Sequence, residues 1–208
     1  MGVDALITIG LTGKYCAGKN YIASLFTQRN IAVIDVDLLG HQALERSRDE
    51  LIALFSRSIV AADGSIDRKE LGHIVFSDRR ALRSLEGTVH PHMKHLCIEQ
   101  IETYRQQGVP AVVINAALLG RMHLDVLCDS ICFVQAPLLL RLVRSIRRDG
   151  ASIASFFHVV RAQRDITPTA FTGVQNVYLV KNWGSRTFIH RQVAEFCATM
   201  DQEETGGQ

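Results

Sequence analysis

Residues 10–20 read GLTGKYCAGKN, and no other stretch limits the possible folds as much. Glycines at 13 and 18 and a lysine at 19 match the spacing G-x-x-x-x-G-K, in which a tight loop turns backbone N–H groups onto phosphate oxygens. The pattern has meaning only between a buried strand and a helix, and both flanks qualify. ALITIGL is a short apolar run, and KNYIASLFTQRN carries Ile22, Leu25 and Phe26 at helical spacing. The start of that helix adds its dipole to the anion site, and Lys19 adds a point charge. Lys14, Tyr15, Cys16 and Ala17 leave the loop poor in glycine where backbone must approach phosphate closely. Asn20 stands where a Ser or Thr hydroxyl usually meets Mg²⁺. An amide oxygen is also a hard ligand, so a weakened metal contact is expected; the other reading of Asn20 is a helix cap.

Beyond the loop, strands and helices alternate. IAVIDVD reads as a second buried strand, with PAVVINAALL, DSICFVQAP and NVYLVKN as later ones. Residues 38–108 carry helical periodicity and no convincing strand. LLGHQALERSRDELIALF and RKELGHIVF read as helices, Asp67 as an N-cap, and Pro91 as the first turn of a long helix closed by Gly108. LLLRLVRSIRRD and ASIASFFHVVRAQRD form a short helical excursion, and RTFIHRQVAEFCATM a last helix before a polar tail expected to fray. Alternating strands and helices imply an α/β fold with a doubly wound, mostly parallel sheet.

Two acids end the second apolar run. Asp35 and Asp37 close that strand, and alternation puts them on one side, at the carboxyl edge where open α/β sheets bind ligands. Either can take a proton from an attacking hydroxyl, and one can hold Mg²⁺ through water. Arg141, Arg144 and Arg148 share a helix face, with Arg147, Arg161 and Arg164 nearby, the arrangement expected of a closing lid. HPHMKH places His92 and His95 one turn apart, but no cysteine or carboxylate set follows at zinc spacing, so His90 and Pro91 are read as shaping a helix start.

Composition removes other classes. A net charge of +2 demands neither nucleic acid nor membrane as partner. The longest apolar run is far short of the ~20 residues of a spanning helix. Asp4 sits where a leader would be basic. Five cysteines without a C-x-x-C suit a reducing cytoplasm, with Cys128 and Cys132 read as a buried structural pair.

With these residues in place, the chain resembles dephospho-CoA kinases over nearly its whole length. IGLTGKYCAGKN is similar to that family's IGLTGGIGSGKS, VIDVD to VIDAD, ADGSIDRKELGHIVFSD to ADGSLDRxxLxxxVFxD, and VHPHM to LHPxI. RSIRRD is similar to RxxxRD, and RAQ followed by VKNWGS to AAQ followed by IDNSG. The resemblance implies a P-loop NTPase fold of five strands, with core segments 1–37, 110–140 and 173–208, a helical CoA-binding insertion at 38–109 and a lid at 141–172. It implies transfer of the γ-phosphoryl of ATP, with Mg²⁺, to the 3′-hydroxyl of dephospho-CoA by a soluble, cytoplasmic monomer. Gly13, Lys14, Tyr15, Cys16, Ala17, Gly18, Lys19, Asn20 and Tyr21 would hold ATP, with Asn182 and Gly184 near adenine. Lys19 would lie on the phosphates, Arg148 in the lid, and Asp37 would be the base. Asp35, Asp37, His90, Leu118 and Leu119 would face the acceptor. The sequence departs from the family at Lys14, Cys16 and Asn20, and ALLGR replaces PLLFE, with Ala117 for proline and Arg121 for the acid. Two other readings stay open: another small-molecule P-loop kinase, and a degenerate loop that binds nucleotide or CoA without transfer.

Overall fold

The computed structural model describes residues 6–174 and 176–205, with 201–205 as backbone. The region of the leader reading, residues 1–5, and the last three residues of the tail lie outside the described residues. Two compact units form, residues 35–103 and the rest of the chain.

In the larger unit the strands are β1 (Ile7–Gly13), β2 (Ala32–Asp35), β3 (Ala111–Asn115), β4 (Ser130–Gln135) and β5 (Asn176–Lys181). Their order is β2-β3-β1-β4-β5, and β1 runs parallel to β3 and β4, as β4 does to β5. Strand order reverses at β1, so the loop leaving β1 falls at the switch point, where ligands of open sheets bind. Leu11 pairs with Asn115 and Gly13 with Val134, which sets the ends of three strands side by side. On one face of the sheet, Ile9, Leu11, Cys132, Val134 and Val180 pack against Ile22, Leu25 and Phe26 of α1 (Lys19–Thr27). Val193 and Phe196 of the last helix complete that layer. A side chain at Gly13 would place its Cβ 2.5 Å from the Val134 carbonyl oxygen, so only glycine fits where the loop leaves β1.

The helical unit contains α2 (Val36–Arg46), α3 (Arg48–Phe55), α4 (Arg68–Ser77) and most of α5 (Arg79–Gln106). The helix expected over 38–55 breaks at Ser47, whose buried hydroxyl donates back to the Ala43 carbonyl at 2.7 Å. Asp67 caps α4 as expected, accepting from the amides of Lys69 and Glu70. Two expectations fail. Pro91 does not start a helix; it lies inside α5, exposed, while Val89, Met93 and Leu96 carry one buried stripe past it. Burial of that stripe outweighs the ~3 kcal/mol that an interior proline costs. The strand reading of Asp35 and Asp37 also fails. β2 ends at Asp35, whose carboxylate caps α2 by accepting from the Asp37 amide at 3.1 Å, and Asp37 sits in the first helical turn. Strand alternation therefore does not relate the two acids.

The larger unit is completed by α6 (Leu138–Asp149), α7 (Ile153–Ala162) and α8 (Arg186–Thr205). Gly150 closes α6 in the left-handed conformation, and the Ser152 hydroxyl caps α7. The segment expected to fray is helical through Thr205.

Candidate active site

The loop after β1 turns on two residues with positive φ, Cys16 at 57° and Gly18 at 93°. A Cβ on Gly18 would overlap the Asn182 side-chain nitrogen, so this glycine is required twice over. The amides of Tyr21 and Ile22 bond back to the Gly18 carbonyl and open α1. Of the loop amides expected to serve phosphate, that of Ala17 bonds the Lys14 carbonyl at 2.9 Å and that of Tyr15 donates to Gln163 Oε1 at 2.7 Å.

The loop carbonyls are held by side chains from outside it. Arg141 Nε donates to the Tyr15 carbonyl at 2.7 Å, and Arg144 Nη1 to those of Ala17 at 3.0 Å and Cys16 at 3.5 Å. Asn182 Nδ2 reaches the Ala17 carbonyl at 2.7 Å, and its own carbonyl accepts from Arg144 Nη2 at 2.9 Å. Asn182 is thus buried against the loop, whereas Gly184 is exposed beyond it. Arg141 is 5 % exposed, burial lowers its pKa, and its Nη2 has no hydrogen-bond partner among the described residues. The arginine face read from the sequence exists, but two of its three members hold backbone. Burial also pushes the Cys16 thiol up, which keeps it neutral.

Lys19 Nζ donates to Asn115 Oδ1 at 2.6 Å, and Asn115 Nδ2 reaches Asn20 Oδ1 at 3.4 Å. Sequence reasoning missed Asn115. It ends an apolar run at the place where such loops keep a metal-holding acid, and that position was its only signal. The amide oxygen of exposed Asn20 offers Mg²⁺ one neutral hard ligand. This donor fits a metal carried mainly by ATP phosphates and its own waters.

The excursion through α6 and α7 meets the loop at Tyr15. Its hydroxyl donates to Asp149 Oδ2 at 2.5 Å, and Asp149 also accepts from Arg148 Nε at 2.7 Å and Nη2 at 2.9 Å. The hydrogen bond to Asp149 pushes the Tyr15 hydroxyl up to about 12, and Arg148 holds Asp149 at about 2. Arg121, which replaces an acid of the resembled motif, forks onto Asp165 at 2.7 and 2.5 Å. Leu118 and Leu119 both border a cleft there, Leu119 with only 1 % of its surface exposed. A second cleft of about 350 Å³ is lined by Lys14, Ala17, Gln135, Arg141, Pro168 and Trp183, with no carboxylate bordering it among the described residues.

Within the helical unit, a cavity of about 340 Å³ has an apolar wall of Leu71, Val75, Val89 and Met93, with His41, Arg68 and His90 around it. His92 and His95 bond Glu50 and Glu99 instead of converging on one point. No group of three His, Cys, Asp or Glu suited to a metal occurs among the described residues. Cys132 is fully buried but Cys128 only partly, so they do not form the buried pair expected. No helix of the described residues is long and apolar enough to cross a membrane.

A family model described as CoaE, dephospho-CoA kinase, matches residues 7–170. The dephospho-CoA kinase of Shouchella clausii is 30 % identical over 198 residues, covering 94 % of this chain and 99 % of its own. A crystal structure from Thermus thermophilus is 30 % identical with a TM-score of 0.76, covering 93 % of this chain and 97 % of that one. Dephospho-CoA kinase from Campylobacter jejuni shares the fold at 21 % identity, TM-score 0.61, over 92 % and 96 % of the two chains.

Proposed function

We propose that this chain, which belongs to the dephospho-CoA kinase family, transfers the γ-phosphoryl group of ATP to the 3′-hydroxyl of dephospho-CoA. The observation that carries this reading is a phosphate loop at the switch point of a parallel sheet, in a chain whose match to the family runs from residue 7 to residue 170. Phosphoryl transfer asks the protein mainly for positioning and charge neutralisation. Lys19, oriented by Asn115, stabilises charge on the phosphates. The loop amides other than those of Tyr15 and Ala17, with the start of α1, hold the phosphate oxygens. Asp37, exposed in the first turn of α2, takes the proton of the attacking 3′-hydroxyl. Arg148 meets the negative charge of the transferring group. Asn20 is the protein residue that would hold Mg²⁺, which when bound neutralises charge on the phosphates.

The cavity of the helical unit supports the CoA reading. An apolar wall suits a pantetheine arm, and Arg68, His41 and His90 suit its phosphates. Five cysteines without a C-x-x-C support a cytoplasmic location. A second reading, binding without transfer, has its own support: neutral amides at 20 and 115, and loop amides already engaged at Tyr15 and Ala17. Incubating the purified protein with ATP, Mg²⁺ and dephospho-CoA decides between them. Formation of ADP and CoA in equal amounts is expected; ATP binding without CoA formation at high enzyme concentration would favour the second reading.

A further inference from the structure

Tyr15 meets α6, α7 and the segment after α7 through its amide, its carbonyl, its ring and its hydroxyl. Its amide donates to Gln163 of the segment after α7, and its carbonyl accepts from Arg141 of α6. Its ring lies 6.3 Å from that of Phe156 and 5.8 Å from the Arg148 guanidinium carbon. Its hydroxyl and two nitrogens of Arg148 share the Asp149 carboxylate. Arg148 is otherwise a long, exposed side chain free to take many rotamers. Here Asp149 occupies Nε and Nη2, the Tyr15 ring lies beneath the guanidinium, and Nη1 makes no hydrogen bond among the described residues.

We propose that Tyr15 is a positioning residue for phosphoryl transfer: through its ring and the Asp149 carboxylate it fixes Arg148 at the phosphate loop, with Nη1 left to meet the transferring group. The inference rests on the assignment of Arg148 to that group. A pre-set guanidinium stabilises developing charge without reorganising during the reaction, whereas one that must first be ordered loses part of that gain. The ring alone does not fix the fork. Cation–π attraction tolerates rotation over the ring face, while the hydroxyl anchors the carboxylate that sets the direction of Nε and Nη2.

The test is Tyr15→Phe, which keeps the ring and every backbone bond and removes only the hydroxyl. Turnover and ATP affinity are measured for Tyr15→Phe, Arg148→Ala and the double variant. Tyr15→Phe should lower kcat roughly tenfold, the scale of one hydrogen bond to a charged group, with ATP affinity within about twofold of wild type. In the Arg148→Ala background the same change should do nothing further, because nothing remains to be positioned. Asp149→Asn, which leaves Tyr15 an acceptor but removes the charge holding Arg148, should reproduce the kcat loss. Wild-type kcat in Tyr15→Phe, or an equal loss with and without Arg148, overturns the positioning role while Arg148 itself still matters. Full turnover in Arg148→Ala removes the role of Arg148, and the proposal with it.

Discussion

Replacing Asn182 with alanine separates two roles for one residue, a contact to the nucleotide base or a clamp on the phosphate loop. The side chain is 3 % exposed, and its Nδ2 donates at 2.7 Å to the carbonyl of Ala17, itself 1 % exposed. Truncation leaves that acceptor buried with Arg144 Nη1, at 3.0 Å, as its remaining donor. A lost bond at a buried polar group costs ~1–3 kcal/mol, so about 2 kcal/mol is expected here. For a chain of this size that lowers Tm by about 4–8 °C. Asn182→Asp should be worse, since a carboxylate would face the carbonyl with no hydrogen to share. The assay is thermal unfolding without nucleotide, followed by calorimetric titration with ATP. An unchanged melting curve with weakened ATP binding would refute the clamp and return Asn182 to the base.

Asn20→Ser should lower the Mg²⁺ concentration needed for half-maximal turnover and raise turnover, since a hydroxyl replaces a longer amide; a fall in turnover would mean that the loop has adapted around Asn20 and Asn115. Lys19→Ala should weaken ATP binding and slow transfer together, whereas Asp37→Asn should leave ATP affinity nearly intact and lower kcat by ~100-fold or more. Asp35→Asn should cost far less, because asparagine caps α2 as aspartate does, and a larger loss there than at Asp37 would move the base to Asp35. The contacts of Tyr15 with Asp149 should be indifferent to pH near neutrality. The Asp149 contribution is complete above about pH 4 and is lost as pH falls through about 2, and that of the Tyr15 hydroxyl is complete below about pH 10 and lost as pH rises through about 12. The kcat ratio of wild type to Tyr15→Phe, followed across neutral pH, should therefore stay flat, and a slope would place another titrating group in the contact.

Much of the larger unit is legible in the sequence because its signals are local. An apolar run, a G-x-x-x-x-G-K spacing and a 3.6-residue period lie within about 20 residues of each other and fix the strand, loop and first helix. Gly150 and Asp67 likewise announce a helix end and a helix start through their own chemistry. The misreadings have local causes too. Pro91 carries a strong breaking signal, but a buried stripe spanning it on α5 is worth more. In VIDVD, apolar–acid alternation imitates a strand where Asp35 is already a helix cap. What the sequence could not reveal is which distant groups meet. Tyr15 and Gln163 are 148 positions apart, Tyr15 and Asp149 134. Asn115 hides for another reason: an uncharged residue at the end of an apolar strand is marked by its position alone, although its oxygen holds Lys19.

The same contacts account for a loop that keeps its shape with few glycines. When loop amides turn toward phosphate, the carbonyls turn outward and need donors of their own. Glycine-rich loops leave that side open to water, because no side chains crowd it. Here Tyr15 and Cys16 occupy the space, Cys16 and Ala17 are buried, and water has little access. The donors come instead from Arg141, Arg144 and Asn182, whose planar groups fit between α6 and the loop. Burying the Arg141 guanidinium and partly burying that of Arg144 is costly unless each is hydrogen-bonded, so α6 packs where the carbonyls stand. Arg144 and Asn182 also stand in the family-like strings RSIRRD and VKNWGS, so of the three donors only Arg141 lies outside the resembled motifs. Restoring glycine at Cys16 alone would open the loop surface beside guanidiniums whose packing depends on its being closed.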